Sequence, residues 1–413
     1  MRADAAGRVV VTGLGTVNPL GTSTPAFGSA LRAGTCAISP LTLFDTTGFR
    51  SVIGAQVQDI ESVPLPAHVS TALRRRLSRA DVFALGAAME ALADSGLDST
   101  APTERLGVAL GGTTGGMLRT ERCLQDRTND GRRYRANALV GAPVSASADV
   151  VAQTLGIAGP RLTVSTACSS SAMSLGIALD WIRLGQCDAV LAGGSESLCA
   201  TVFAGFNALH ALSREPCRPF DRQRSGLSLG EGAAIMVLED ATHALARGAR
   251  IHAELLDYGA SADAHHLTAP HPEALGAVLA MRRALAHANL APSDIDYVNA
   301  HGTGTPLNDA SEITALHEVF DAAGGALAVS STKSAVGHTL GAAGAIEALV
   351  TVLAVRDGFI PATVTLDEPE DPTLDFVPRT SRTASLRCAL SNSYGFGGNN
   401  TSLVIGRAAE STH

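Results

Sequence analysis

Cys168 stands in the stretch VSTACSSSAMSLGIALDW (Val164 to Trp181), among five small hydroxyl residues. A β-like run, Arg161 to Val164, precedes it, and Met173, Leu175, Ile177, Ala178 and Trp181 follow with helical spacing. The pattern predicts a strand-to-helix junction. Unpaired amides and the positive end of the helix dipole favour a thiolate there, and serine and threonine neighbours allow a tight turn. Cys168 is thus a candidate nucleophile. The alternative is a buried structural thiol, which packs as a small hydrophobe.

Three further loops each follow a β-like run: NAHGTGTPLND with His301, SSTKSAVGHTLGAAGAIE with Lys333 and His338, and SNSYGFGGNN with Phe396. His301 and His338 adjoin glycine at strand ends instead of lying on an apolar helical stripe, so packing does not explain them; a surface or capping role is the plain alternative. Lys333 is the only lysine among 31 basic residues. A need for a compact ammonium in place of a planar guanidinium would explain it. Glu347 lies within the apolar stretch Leu340 to Val355 and must find a partner or lose its charge. Lys333 is the candidate partner, unless both side chains point to water. The GLSLG stretch (Gly226 to Gly230) matches the serine-hydrolase elbow G-x-S-x-G but lacks the strand before and helix after that the elbow requires. A serine hydrolase is therefore the remote alternative.

Composition narrows the class. Length allows about three domains, and 46% hydrophobic residues supply a large core. Seven cysteines, odd in number and without C-x-x-C spacing, suggest neither a disulfide framework nor a metal site. A reducing, cytoplasmic setting follows. A net charge of -8 argues against nucleic acid or anionic membrane as the main partner. The Leu340 to Val355 stretch is too short to span a bilayer and reads as a buried helix.

Strand-like and helical runs alternate throughout, which predicts an α/β fold. The alternation restarts after about residue 250, dividing the chain into halves 1–250 and 251–413. Two faint echoes suggest duplication: STACSSSAMSLG with STKSAVGHTLGAAG, and DAVLAGGSES with DYVNAHGTGT.

Together, these segments resemble the β-ketoacyl-acyl carrier protein synthases, the decarboxylating condensing enzymes of fatty acid and type II polyketide or polyene synthesis. The resemblance covers about residues 8 to 407. It implies the thiolase fold, two similar α/β halves in a five-layer α-β-α-β-α sandwich. By motif, Cys168 would carry the acyl group, and His301 and His338 would assist decarboxylation of a malonyl thioester. Lys333, Glu347 and Glu312 would form the supporting network. The backbone amides of Cys168 and Phe396 would hold an oxyanion, Thr303 and Thr305 would contact a phosphopantetheine arm, and Phe206 and Phe396 would gate the acyl pocket. No bound cofactor is implied, because the phosphopantetheine arrives on the acyl carrier protein. That acidic partner would dock on local basic patches, Arg74, Arg75 and Arg76 or Arg132 and Arg133. Thr114 would stand at the pocket end, where the fatty acid enzymes have a bulky aliphatic residue, and His210 where many have an arginine. The resemblance implies a dimer, either of two copies or with a chain-length-factor homologue.

Overall fold

The structure, a computed structural model, describes residues 7–97, 103–130, 139–321 and 327–408. Its main strands, in chain order, are β1 (Val9–Val17), β2 (Leu106–Gly111), β3 (Arg161–Val164), β4 (Ala189–Glu196), β5 (Gly232–Asp240), β6 (Ala253–Ala262), β7 (Tyr297–Asn299), β8 (Ala328–Ser330), β9 (Asp375–Phe376), β10 (Cys388–Gly395) and β11 (Asn399–Arg407). The principal helices are α1 (Arg79–Ser95), α2 (Ala146–Leu155), α3 (Ser170–Arg183), α4 (Leu275–Ala288), α5 (Pro306–Phe320) and α6 (Ala343–Asp357).

The strands pair in the order β9-β8-β7-β10-β11-β6-β1-β5-β4-β2-β3. Outward from the β6–β1 seam, the first half runs β1-β5-β4-β2-β3 and the second β6-β11-β10-β7-β8, with β9 added at the edge. Both read first, fifth, fourth, second and third strand. Both also have two antiparallel contacts followed by two parallel ones. The halves are therefore one topological unit used twice. The first sequence echo falls on equivalent strands, since β3 and β8 are each third. The second does not: DAVLAGGSES builds the fourth strand of its half and DYVNAHGTGT the second. Val-Ala-Gly-rich strand ends look alike wherever buried sheets end, so that similarity carried no register.

Layering follows from which helices touch which strands. α1 and α2 cover the outer face of the first sheet half, α4 and α5 that of the second, and α3 and α6 lie between the halves. This is the five-layer thiolase fold. The two sheet halves are not separate: Val9 to Val11 of β1 pair with Leu255 to Ala253 of β6 and join them into one folded sheet. Because α6 is covered on both sides, Ala343 through Val355 are all buried, which explains its lack of a polar face. It begins three residues later than the apolar run, because Leu340 takes a left-handed φ of +49°. No described helix is long and apolar enough to cross a membrane.

The close approach of α3 to β2 depends on Gly111, where a Cβ would lie 2.3 Å from the Ser171 amide nitrogen. Gly111→Ala must push the first turn of α3 off the sheet, and such overpacking costs about 1–3 kcal/mol. Chemical denaturation should show that loss; an unchanged midpoint would mean the turn is not fixed by this contact.

Candidate active site

The hydroxyl residues around Cys168 build its turn. Thr166 N–H donates to Ser170 Oγ at 2.9 Å, the Ser169 hydroxyl to Thr166 O at 2.9 Å, and the Ser170 hydroxyl to Ala167 O at 2.5 Å. These bonds hold Ala167 at a φ of +53°, a conformation that costs a non-glycine residue about 1–3 kcal/mol. The turn delivers Cys168 immediately before Ser169, the N-cap of α3. The Phe396 amide donates to its sulfur. Gly395 permits this approach, since a Cβ there would sit 2.7 Å from Thr166 O.

Cys168, His301 and His338 converge from three loops, with their ligand-type atoms all within 4.8 Å of one another. The imidazole centroids are 5.3 Å apart and nearly perpendicular. Lys333 is buried with its three donors engaged: it donates to Glu347 Oε1, to His301 O at 2.5 Å and to His301 Nδ1 at 3.1 Å. An ammonium has no lone pair, so His301 Nδ1 must be the acceptor and Nε2 carries the ring proton. His338 Nδ1 likewise accepts the Leu340 N–H, at 3.3 Å. Burial, with Lys333 second, holds both imidazoles well below the usual value, so both are neutral. The pair thus offers two Nε2–H donors. A zinc-binding histidine usually gives its second N–H to a carboxylate or carbonyl; here the second nitrogens face donors. The spacing suits a metal, but the surroundings oppose one.

Glu312 accepts the amides of His301 and Gly302 at 2.9 and 2.8 Å and fixes the backbone of that loop. Burial pushes the carboxyls of Glu312 and Glu347 up to about 7, opposed chiefly by the Gly302 and His301 amides at Glu312 and by Lys333 at Glu347. Burial likewise raises the Cys168 thiol to about 11, against the lowering influence of Lys333 and the Phe396 amide. This corrects the expectation of a thiolate at rest. The helix end and Lys333 favour the anion, but desolvation outweighs them.

A cavity of about 330 Å3 opens on this trio. Thr303 and Thr305 line it, their hydroxyls 2.9 Å apart. Phe206 and Phe396 also line it, stacked at 5.7 Å between centroids. His210 stands on its wall with Nδ1 3.3 Å from Arg50. Thr114 does not line this cavity. Its hydroxyl donates to Glu196, the last residue of β4. Arg75 and Arg76 are exposed, whereas Arg74 is paired with Glu61 at 2.9 Å; Arg132 and Arg133 lie outside the described residues. Ser228 of the GLSLG stretch is buried, accepts the Cys217 amide and leads into β5, not into a helix. It is no elbow.

Sequence reasoning misses Glu196, which accepts five neutral donors beside this site, and Asp309, which accepts the amides of Thr303, Gly304 and Phe220. Each is an acid at the edge of an apolar or glycine-rich run, a weaker signal than that of Glu347, which lies inside one.

Residues 6–244 match the family described as Beta-ketoacyl synthase, N-terminal domain, and residues 252–367 its C-terminal domain. The chain belongs to the beta-ketoacyl synthase family. This synthase is 40% identical, over 97% of its length and 98% of the relative's, to the 3-oxoacyl-[acyl-carrier-protein] synthase 2 of Coxiella burnetii. It is also 40% identical to nodulation protein E of Rhizobium meliloti, covering 96% and 98% of the two chains. The solved structure of the ishigamide ketosynthase/chain length factor superposes with a TM-score of 0.91 at 37% identity, covering 97% and 99%.

Only the thiolate reacts with an alkylating agent. The rate at which iodoacetamide labels Cys168 of the synthase should therefore climb about tenfold per pH unit from neutral into the mildly alkaline range. A plateau near neutrality would contradict the thiol's raised pKa.

Proposed function

We propose that Cys168, His301 and His338 divide the two half-reactions of a 3-oxoacyl-acyl carrier protein synthase between them. The observation that carries this reading is the pair of neutral Nε2–H donors beside a buried thiol. In the first half-reaction, the Cys168 sulfur attacks the carbonyl of a carrier-bound acyl thioester. The carrier thiol leaves with the proton that Cys168 gave up. In the second, a malonyl thioester binds with its carbonyl oxygen toward His301 and His338. The bond to the carboxylate breaks, carbon dioxide leaves, and the electron pair becomes an enolate whose oxygen the two N–H groups stabilise.

Neutrality matters here. Two cationic imidazoles would hold the carboxylate that has to leave, whereas neutral donors respond to the charge that develops on the enolate. The enolate carbon then attacks the acyl carbonyl on Cys168. The amides of Cys168 and Phe396 hold the resulting oxyanion, the C–S bond breaks, and the sulfur takes up a proton. The products are 3-oxoacyl-carrier protein, carbon dioxide and the free thiol. Thr303 and Thr305, on the cavity wall, are placed for the polar phosphopantetheine arm that carries both substrates, and the stacked Phe206 and Phe396 gate access to the thiol.

Carrier docking rests on charge. The synthase is acidic overall, so an acidic carrier must find a local basic surface, and exposed Arg75 and Arg76 offer one. A dimer is the second element of the reading. Among the described residues, β3 ends the sheet with one side unpaired and Leu162 exposed, a ready edge for a second subunit. The likeness to the ishigamide ketosynthase/chain length factor favours a chain-length-factor homologue as that subunit over a second copy. Co-purification with a candidate partner, against mass photometry of the synthase alone, distinguishes them. The pathway is either primary fatty acid or specialised polyketide synthesis, as in the relatives.

His301→Ala or His338→Ala should lower malonyl decarboxylation about a hundred- to a thousandfold, the usual cost of one lost oxyanion donor. Acylation of Cys168, read by intact-protein mass spectrometry, should persist. Acylation failing while decarboxylation continues would reverse the assignment. Charge reversal of Arg75 and Arg76 to glutamate should raise KM for carrier-bound substrates only; an equal effect on small thioesters would remove these residues from docking.

A further inference from the structure

Glu196 ends β4 and is fully buried. Its Oε1 accepts the Thr114 amide at 2.8 Å and the Thr114 hydroxyl. Its Oε2 accepts the Thr113 amide at 2.8 Å, the Thr113 hydroxyl at 2.6 Å and the Gly341 amide at 3.1 Å. One carboxylate thus ties together two turns from opposite halves of the chain. The first, Thr113–Thr114, follows β2; the second, Leu340–Gly341, follows His338. Their backbones already touch: a Cβ on Gly341 would lie 2.7 Å from both Glu196 Oε2 and Gly112 Cα.

The second turn is the one that orients His338. Leu340 donates its amide to His338 Nδ1 from a left-handed conformation that a leucine keeps only when its neighbours hold it there. The next amide along, that of Gly341, is the one Glu196 holds. We propose that Glu196 is a positioning residue for His338. By anchoring Gly341, it keeps the Leu340 amide on Nδ1 and so keeps Nε2–H available to the developing enolate. The Thr114 hydroxyl belongs to the same anchor, so this position acts on the malonyl half-reaction through Glu196.

The inference rests on the proposed role of His338, and the test separates the two. Glu196→Gln keeps the shape but replaces an acceptor oxygen with a donor NH2, which must oppose one of the two turns. Misplacing a catalytic group costs on the order of ten- to a hundredfold. The variant should lose that much in kcat for decarboxylation of malonyl-carrier protein, with KM little changed. Acylation of Cys168 should be unchanged or faster, because the Glu196 charge opposes the thiolate. Thr114→Val, which removes one hydroxyl and no charge, should show a smaller loss with the same split, and keeps the test open if the glutamine variant folds poorly. Wild-type decarboxylation in both variants, or acylation falling in parallel with it, overturns the inference. His338→Ala run alongside identifies the other failure: if that variant decarboxylates normally, the role of His338 is wrong and the inference falls with it.

Discussion

A buried ammonium with three fixed acceptors governs the chemistry of this site. Lys333 uses every N–H it has, on Glu347, on the His301 carbonyl and on His301 Nδ1. That single arrangement sets the tautomer of His301, helps keep both imidazoles neutral and partly offsets the desolvation of the Cys168 thiol. A guanidinium could not replace it, because its planar fork spreads five donors where three converge on one point. In a chain that uses arginine at 30 of 31 basic positions, the lone lysine is therefore a geometric requirement. Glu347 completes the pair: removing one partner of a buried ion pair leaves an uncompensated charge, typically a loss of about 3–5 kcal/mol.

The duplicated fold supplies the convergence. In both halves the third strand ends in a turn with a reactive residue: β3 leads to Cys168, and β8 to Lys333 and His338. The second strand of the second half, β7, delivers His301, and the fourth, β10, delivers Phe396. Their equivalents in the first half, β2 and β4, lead to Thr113–Thr114 and end in Glu196. Catalytic groups and their supports therefore occupy related positions about the seam between β1 and β6. The central layer of α3 and α6 locks the halves together, with the Ala345 amide on α6 donating to Ser171 Oγ on α3 at 2.9 Å.

How much of this the sequence revealed depended on how local the cause was. Loops whose glycine, histidine and lysine content packing did not explain could be read directly, as could the α/β alternation. The pairing of Lys333 with Glu347 was legible because an acid inside an apolar run demands a partner. Properties that a distant element decides were not legible. The helix end at Cys168, a local effect, favours a thiolate, yet burial of the sulfur outweighs it. The glycine-rich turn around Thr114 likewise gives no sign that Glu196, from another strand, takes its hydroxyl. The echo between β4 and β7 failed for the same reason, since strand-end composition repeats without marking topological position.

Lys333 and the Leu340 amide hold two neutral imidazoles, each with its proton on Nε2. Nitrogen-15 chemical shifts of His301 and His338 in histidine-labelled protein at neutral pH test this directly. Pyridine-type Nδ1 and pyrrole-type Nε2 signals are expected from both rings, with the His301 pattern lost on Lys333→Met. A cationic ring, or a proton resident on Nδ1 of either histidine in the unmodified protein, would contradict it.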